Sequence, residues 1–205
     1  MIITDPEKIE ARSMEIIESE LTVDIPEENK TVVKRVIHCT ADFDYAVNLS
    51  FSDHAVQKAI NALRDGCDIV TDTNMAKSGI NKSAAAKLGC GIHCFMSDPD
   101  VAEIAKARGC TRAVVSMEKA ASLERPLIFA IGNAPTALLK LSELINEGSI
   151  APKLVIGVPV GFVNVVESKE AIMGTKVPFI VAKGRKGGSN VAAAIVNALM
   201  YRITR

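Results

Sequence analysis

The sequence predicts an α/β fold: a single domain with a mostly parallel sheet and helices on both faces, preceded by an N-terminal helical segment. Short, β-branched apolar runs alternate with amphipathic helical patterns along most of the 205 residues. The runs are mostly free of charge, which is typical of strands buried on both faces of a sheet. Right-handed crossovers would then cover both faces with helices.

Six runs are predicted as strands: 68–71, 91–96, 113–116, 127–131, 154–158 and 178–182. The helices between them are predicted from apolar residues spaced three and four apart and from glycines at their ends. They cover 55–63, 98–105, 136–147 and 189–200, with Ser189 as the cap of the last one.

The first 40 residues are predicted to form two helices, 6–21 and 26–39, before any strand. The buried stripe of the first helix is predicted as Ile9, Ile16, Ile17 and Leu21. Ser13 falls inside this stripe, where a hydroxyl needs a hydrogen-bond partner. That partner is either the carbonyl one helical turn back or a polar ligand.

Composition indicates one globular domain, residues 1–205, with 48% hydrophobic and 23% charged residues. The formal net charge is zero and aromatic residues make up only 4%, so neither charge nor base stacking favours nucleic acid as a partner. No stretch is long enough to span a membrane, and the amino terminus does not look like a signal peptide. We therefore expect a cytoplasmic location without membrane association.

The five cysteines are an odd number, which favours reduced thiols. The segment Cys90-Gly-Ile-His93-Cys94 could offer soft metal ligands. Zinc normally needs a second ligand cluster, and no other segment is spaced to supply one. The same segment is predicted as a buried strand, so we assign no metal site and keep metal binding as the alternative.

The run Lys34-Arg-Val-Ile-His38 combines a fixed cation with a proton-exchanging side chain. Arg35 lies one helical turn before His38, so the two residues share a helix face. Such a pair suits a site that binds an anionic ligand and moves a proton on it. The alternative is a solvated surface pair without chemistry. The other histidines, His54 and His93, are expected to be structural.

Ligands of open α/β sheets collect at the carboxyl ends of the strands. Residues 131–137 there run from a strand through Asn133 into a helix, whose free N–H groups would bind an anion unless the turn is already capped. Residues 183–190 form a basic, glycine-rich turn without the order of a P-loop, so a nucleotide-dependent enzyme remains only an alternative. Dispersed arginines and helix starts fit a carboxylate-rich ligand at least as well.

Six short motifs occur in this order: Glu10-Ala-Arg-Ser13, Arg35-Val-Ile-His38, Gly132-Asn-Ala-Pro-Thr-Ala137, Val158-Pro-Val-Gly-Phe-Val163, Glu167-Ser-Lys169 and Gly184-Arg-Lys-Gly-Gly-Ser189. Together they resemble the precorrin-8X methylmutase family, also called precorrin isomerase, of cobalamin biosynthesis. The resemblance extends over nearly the whole chain.

The resemblance implies an isomerase that moves a methyl group from C-11 to C-12 of a corrin precursor by a 1,5-sigmatropic shift. Metal-free precorrin-8X would give hydrogenobyrinate, and cobalt-precorrin-8 would give cobyrinate. No external cofactor is implied. The resemblance also implies a homodimer with a deep cleft for the macrocycle.

The resemblance further implies that His38 donates or accepts a proton and that Ser13 and Arg35 bind substrate. We expect Arg112 and Asn133 to contact substrate carboxylates as well. A large, mostly apolar ring with carboxylates needs apolar walls and cations at the rim. Protonation of a ring nitrogen would ease methyl migration. The helix dipole favours a charged His38 and Arg35 opposes it. A noncatalytic tetrapyrrole or organic-anion binding module on the same scaffold is the alternative.

Overall fold

A computed structural model describes residues 2–205 and contains one mixed sheet. Its strands are β1 (Leu49–Phe51), β2 (Asp68–Thr71), β3 (Ile92–His93), β4 (Leu127–Ile131), β5 (Leu154–Gly157) and β6 (Phe179–Ala182). They lie side by side in the order β1-β6-β5-β4-β2-β3. All neighbouring pairs are parallel except β1 with β6. The predicted fold class is therefore confirmed.

Helices precede the sheet and connect its strands. They are α1 (Pro6–Glu20), α2 (Glu27–Thr40), α3 (Tyr45–Asn48), α4 (Ala55–Arg64), α5 (Asn74–Gly79), α6 (Lys82–Lys87), α7 (Pro99–Arg108), α8 (Arg112–Ala121), α9 (Pro135–Asn146), α10 (Val165–Met173) and α11 (Ser189–Thr204). No helix among residues 2–205 is both long enough and apolar enough to cross a lipid bilayer.

Side chains alternate between two cores, one on each face of the sheet. Ile128 of β4 belongs to the core that contains α2, α4 and α11, and the next residue, Phe129, belongs to the core under α8 and α9. Ile69 and Val70 of β2 divide in the same way. Burial on both faces explains why the central strands read as unbroken apolar runs.

The prediction of a strand at 113–116 is wrong, because these residues lie in α8. Thr111 caps that helix by accepting a hydrogen bond from the Val114 N–H. Ala113, Met117 and Ala120 are buried, and their spacing forms a single helical face. Two adjacent valines gave the segment its strand-like appearance.

Both edges of the sheet also differ from the predictions. The predicted strand at 91–96 is reduced to β3, which pairs with β2 alone. At the opposite edge, β1 was not predicted, since three residues carry little periodicity and their strand geometry depends on pairing with β6.

The final helix, α11, organises the N-terminal half of the chain. It lies antiparallel to α2, as a contact at each end shows. Arg202 donates a hydrogen bond to the Glu28 carbonyl at one end, and the Cys39 sulfur lies 4.0 Å from the Asn190 carbonyl at the other. The start of α11 lies at the carboxyl edge of the sheet, so the C-terminal end of α2 reaches the same edge.

The outermost helix, α1, packs chiefly against α2, and most of its predicted apolar stripe is not buried. Ile17 is buried, Leu21 is partly buried, and Ile9 and Ile16 are 43% and 40% exposed. One neighbouring helix cannot cover a stripe of this width. The prediction that Ile9 and Ile16 are buried is wrong for the single chain.

Candidate active site

The loops that follow β2, β4, β5 and β6 meet at the carboxyl edge of the sheet, around the start of α11. The Thr73 and Ser189 hydroxyl oxygens lie 2.8 Å apart and join the first of these loops to α11. A Cβ on Gly132 would lie 2.7 Å from the Gly188 carbonyl oxygen, so glycine is required there. Ser189 is the first residue of α11 rather than its cap, which is Gly188.

Asp72 follows β2 and carries a buried carboxylate directed at the turn between β4 and α9. It accepts hydrogen bonds from the backbone N–H groups of Gly132, Asn133 and Ala134 at 2.9, 2.8 and 2.7 Å. Burial raises the pKa of Asp72, and these three bonds act in the opposite direction. The N–H groups expected to bind an anion ligand are therefore already bound to the chain's own carboxylate, as the capped-turn alternative required.

Lys169 of α10 is the second buried charged residue at this edge, with only 1% of its surface exposed. Its amine donates hydrogen bonds to the carbonyls of Gly184 and Lys186 at 2.7 and 2.9 Å. Burial lowers the pKa of Lys169 to about 8. The amine thus fixes the basic turn between β6 and α11 from inside the protein.

His38 lies in the last turn of α2, with its ring exposed. The contact between Cys39 and Asn190 holds this turn beside the first turn of α11. None of the side-chain hydrogen bonds or ion pairs within residues 2–205 involves the His38 ring. His38 is therefore an accessible proton-exchanging group at the edge where the loops converge.

Arg35 lies one helical turn before His38 on α2, and its side chain has partners on α1 and α11. Its guanidinium forms a 2.5 Å ion pair with Glu10 and lies 5.4 Å from the ring centroid of Tyr201. This ion pair lowers the pKa of Glu10. Tyr201 belongs to the C-terminal part of α11, so the Arg35 side chain links α2 to both α1 and α11.

Ser13 lies on α1, one turn after Glu10, on the same side of the molecule as Arg35. Its hydroxyl donates to the Ile9 carbonyl at 2.8 Å. The hydroxyl therefore has the partner one helical turn back that the sequence left as one of two possibilities. Glu10 links the helix that carries Ser13 to Arg35.

Arg112 and Asn133 lie on the carboxyl-edge side and are both exposed. Arg112 is the first residue of α8, next to the Thr111 cap. The Thr111 and Thr136 hydroxyls are 2.9 Å apart, which joins the starts of α8 and α9. Asn133 lies in the turn before α9. The structure therefore brings Arg112 and Asn133 to the edge that also carries His38.

Two of the residues considered for metal binding, Cys90 and His93, have other partners. His93 lies 2.9 Å from the buried carboxylate of Asp68, and the Cys90 sulfur approaches the carbonyl of Leu63 at 3.6 Å. Within residues 2–205 no group of three or more histidine, cysteine or acidic residues is arranged to hold a metal ion.

Sequence reasoning missed the roles of Asp72 and Lys169. Asp72 was visible only as one polar residue in a loop after a strand, and Lys169 only as the end of a short motif. Their partners lie 60 to 62 and 15 to 17 residues away along the chain. No local pattern predicts contacts of that kind.

The fold and its carboxyl edge define an α/β protein with an exposed histidine and arginine beside loops held by two buried charges. The precorrin-8X methylmutase family profile matches residues 8–202. The chain is 47% identical to the cobalt-precorrin-8 methylmutase of Priestia megaterium, over 95% of this chain and 87% of that protein. It is 45% identical to the enzyme of the same name from Leptospira interrogans, over 94% and 91%.

A crystal structure of precorrin-8X methyl mutase from Thermus thermophilus superimposes with a TM-score of 0.86 at 38% identity, covering 94% of this chain and 96% of that one. The chain belongs to the precorrin-8X methylmutase family. It is an isomerase of cobalamin biosynthesis, of the methyl-shifting intramolecular transferase class. The similarities support this interpretation rather than the noncatalytic binding module.

Proposed function

We propose that this chain moves the methyl group of cobalt-precorrin-8 from C-11 to C-12, giving cobyrinate, and that His38 exchanges the proton that assists the shift. The observation that carries the proposal is the exposed His38 ring at the carboxyl edge, free of hydrogen bonds and ion pairs within residues 2–205. The cobalt form is preferred over metal-free precorrin-8X because relatives at 45% and 47% identity bear that name.

The step needs one proton donor and no other reagent. His38 protonates a nitrogen of the conjugated ring, which withdraws electron density and lowers the barrier to migration. The bond between the methyl group and C-11 breaks as the bond to C-12 forms. The proton then returns to His38, so substrate and product have the same composition. The charge of Arg35 is offset by Glu10.

The substrate carboxylates are bound by cationic and polar side chains in this proposal. Arg112 and Asn133 are supported by their exposure on the same edge as His38. Ser13 and Arg35 are included because the family resemblance assigns them to substrate, although both have partners within the chain. Arg112→Gln should raise the Michaelis constant for the corrinoid about tenfold, with Arg64→Gln, on the exposed end of α4, as its control.

A homodimer in the cytoplasm is part of the same proposal. The exposed Ile9 and Ile16 of α1 support the dimer, because a second copy would cover the stripe that α2 leaves open. The five free cysteines support a reducing compartment. Sedimentation velocity of the wild type and of Ile9→Glu tests the dimer. We expect twice the chain mass for the first and a shift toward the monomer for the second.

Turnover and binding measured on His38→Ala test the catalytic proposal. We expect the rate of conversion of cobalt-precorrin-8, followed by the corrin absorption spectrum, to fall at least about 100-fold. The dissociation constant should change less than about threefold, since His38 acts on the bound ring. His54→Asn is the matched control and should retain wild-type activity. A wild-type rate in His38→Ala would refute the assignment.

A further inference from the structure

The loop after β5 and the turn after β6 are held together as one unit, the paired loops, comprising residues 158–164 and 183–188. The Gly188 N–H donates to the Val158 carbonyl at 2.8 Å, and the Gly161 N–H donates to the Arg185 carbonyl at 3.1 Å. A Cβ on Gly187 would collide with the Val158 carbonyl. The two backbones therefore approach as closely as glycine allows.

The paired loops are also held from the protein interior, by the buried amine of Lys169. The amine binds two carbonyls of the 183–188 turn and has no carboxylate partner within residues 2–205. A buried cation without a counter-ion costs stability. An apolar side chain could fill the same volume without this cost, but it could not hold the two carbonyls. We therefore explain the lysine by the conformation that it imposes on the turn.

The surface that the paired loops present is apolar. Phe162, Val163 and Val160 are 82%, 77% and 49% exposed. They are consecutive or nearly so on one loop, and they stand at the carboxyl edge, where ligands of α/β sheets bind. Contiguous exposed apolar side chains of this kind mark an interaction site.

A cation adjoins this apolar surface. The guanidinium carbon of Arg185 lies 5.4 Å from the ring centroid of Phe162. Lys186 is neutralised by Asp42 and Asp44 at 2.6 and 2.7 Å, whereas Arg185 has no carboxylate partner within residues 2–205. A guanidinium stacked on an aromatic ring keeps its N–H groups available for a carboxylate.

We propose that Phe162 and Arg185 form a substrate subsite, in which the apolar ring of a corrinoid packs against Phe162 while a carboxylate at its rim binds Arg185. Lys169 is its positioning residue. The inference rests on the proposed function and says where on the carboxyl edge the macrocycle docks. An amphipathic anion fits this surface because it satisfies the exposed ring and the free cation together, which a purely apolar partner does not.

Kinetic and binding measurements with cobalt-precorrin-8 on Phe162→Ala and Arg185→Gln test the subsite. We expect each variant to raise the Michaelis constant and the dissociation constant about tenfold and to change kcat less than threefold. The matched controls are Ile104→Ala on α7 and Arg64→Gln on α4, both with exposed side chains, and they should leave both constants unchanged. Constants within twofold of wild type in both test variants would overturn the proposal.

Lys169→Met separates positioning from general stability. A positioning role predicts a raised Michaelis constant with kcat retained at saturating substrate. A merely structural role predicts a lower melting temperature with the Michaelis constant unchanged, and that result would overturn the assignment of Lys169.

Three outcomes decide how this inference and the proposed function stand. If the wild type binds cobalt-precorrin-8 without converting it, the proposed reaction fails, while the effects of Phe162→Ala and Arg185→Gln on binding still decide the subsite. If the wild type neither binds nor converts it, both fail. If Phe162→Ala changes the sedimenting mass and leaves the affinity unchanged, the surface is a contact between copies, and the subsite is refuted.

Discussion

Two turns at the carboxyl edge are each organised by a buried charge, but the charges have opposite signs. Asp72 holds the turn between β4 and α9 through three backbone N–H groups. Lys169 holds the turn between β6 and α11 through two backbone carbonyls. The first anchor removes the groups that would bind an anion, whereas the second leaves the turn's cationic side chains facing outward. The backbone of the first turn is therefore not available to an anion, whereas the proposed subsite uses a side chain of the second turn.

The largest expected effect is on the first turn. Asp72→Ala leaves three N–H groups without their buried acceptor, so we expect the free energy of unfolding to fall by about 4 kcal/mol. Urea denaturation at neutral pH measures it, with Asp65→Ala at the exposed end of α4 as the control. A loss no larger than that of the control would mean that water replaces the carboxylate and that the turn does not depend on Asp72.

The second anchor should respond to pH. The pKa of Lys169 is lowered by burial from 10.5 to about 8, so between these values the unfolded chain holds a proton that the folded chain has lost. The contribution of Lys169 to the free energy of unfolding therefore rises with pH over that range, by up to about 3 kcal/mol. Urea denaturation of the wild type and of Lys169→Met at pH 7, 9 and 10 isolates the contribution of Lys169. A difference between the two proteins that is constant with pH would contradict the lowered pKa.

The smallest expected effect concerns the close approach of the paired loops. Gly187→Ala introduces a Cβ against the Val158 carbonyl, and we expect a loss of about 2 kcal/mol in stability. Gly174→Ala, where a Cβ would meet only ordinary contacts at 3.5 Å, is the matched control. The melting temperatures of both variants measure this loss of stability. Equal melting temperatures would show that the loops separate without cost.

The central strands were predictable because their apolar patterns follow directly from burial. Strands 68–71 and 127–131 are buried on both faces over their whole length. The error at 113–116 arose because two valines suit a strand, whereas a cap at Thr111 and the spacing of Ala113 and Met117 belong to a helix. In such short segments the pattern over a full turn outweighs the preference of single residues.

The candidate site was predictable only in part, for a different reason. The sequence predicts a site at the carboxyl edge of the sheet, and His38, Arg112 and Asn133 lie on that side of the molecule. It did not predict the direction of the Arg35 side chain, which is set by Glu10 and Tyr201 far along the chain. Nor did it predict that Asp72 already occupies the start of α9. Contacts between residues far apart in the chain produce no periodic pattern in the sequence from which they could be predicted.

The antiparallel packing of α2 on α11 has a consequence for synthesis of the chain. The helix that fixes the surroundings of His38 emerges from the ribosome long after His38 itself, since Cys39 and its contact Asn190 are 151 residues apart. Contacts such as Arg205 with Glu10 span 195 residues, so they form only after α11 has been synthesised. The β-α units of the parallel sheet can begin to assemble earlier. A chain stalled before α11 would contain every residue proposed for proton transfer and carboxylate binding, yet would lack the support that brings His38 to the edge of the sheet.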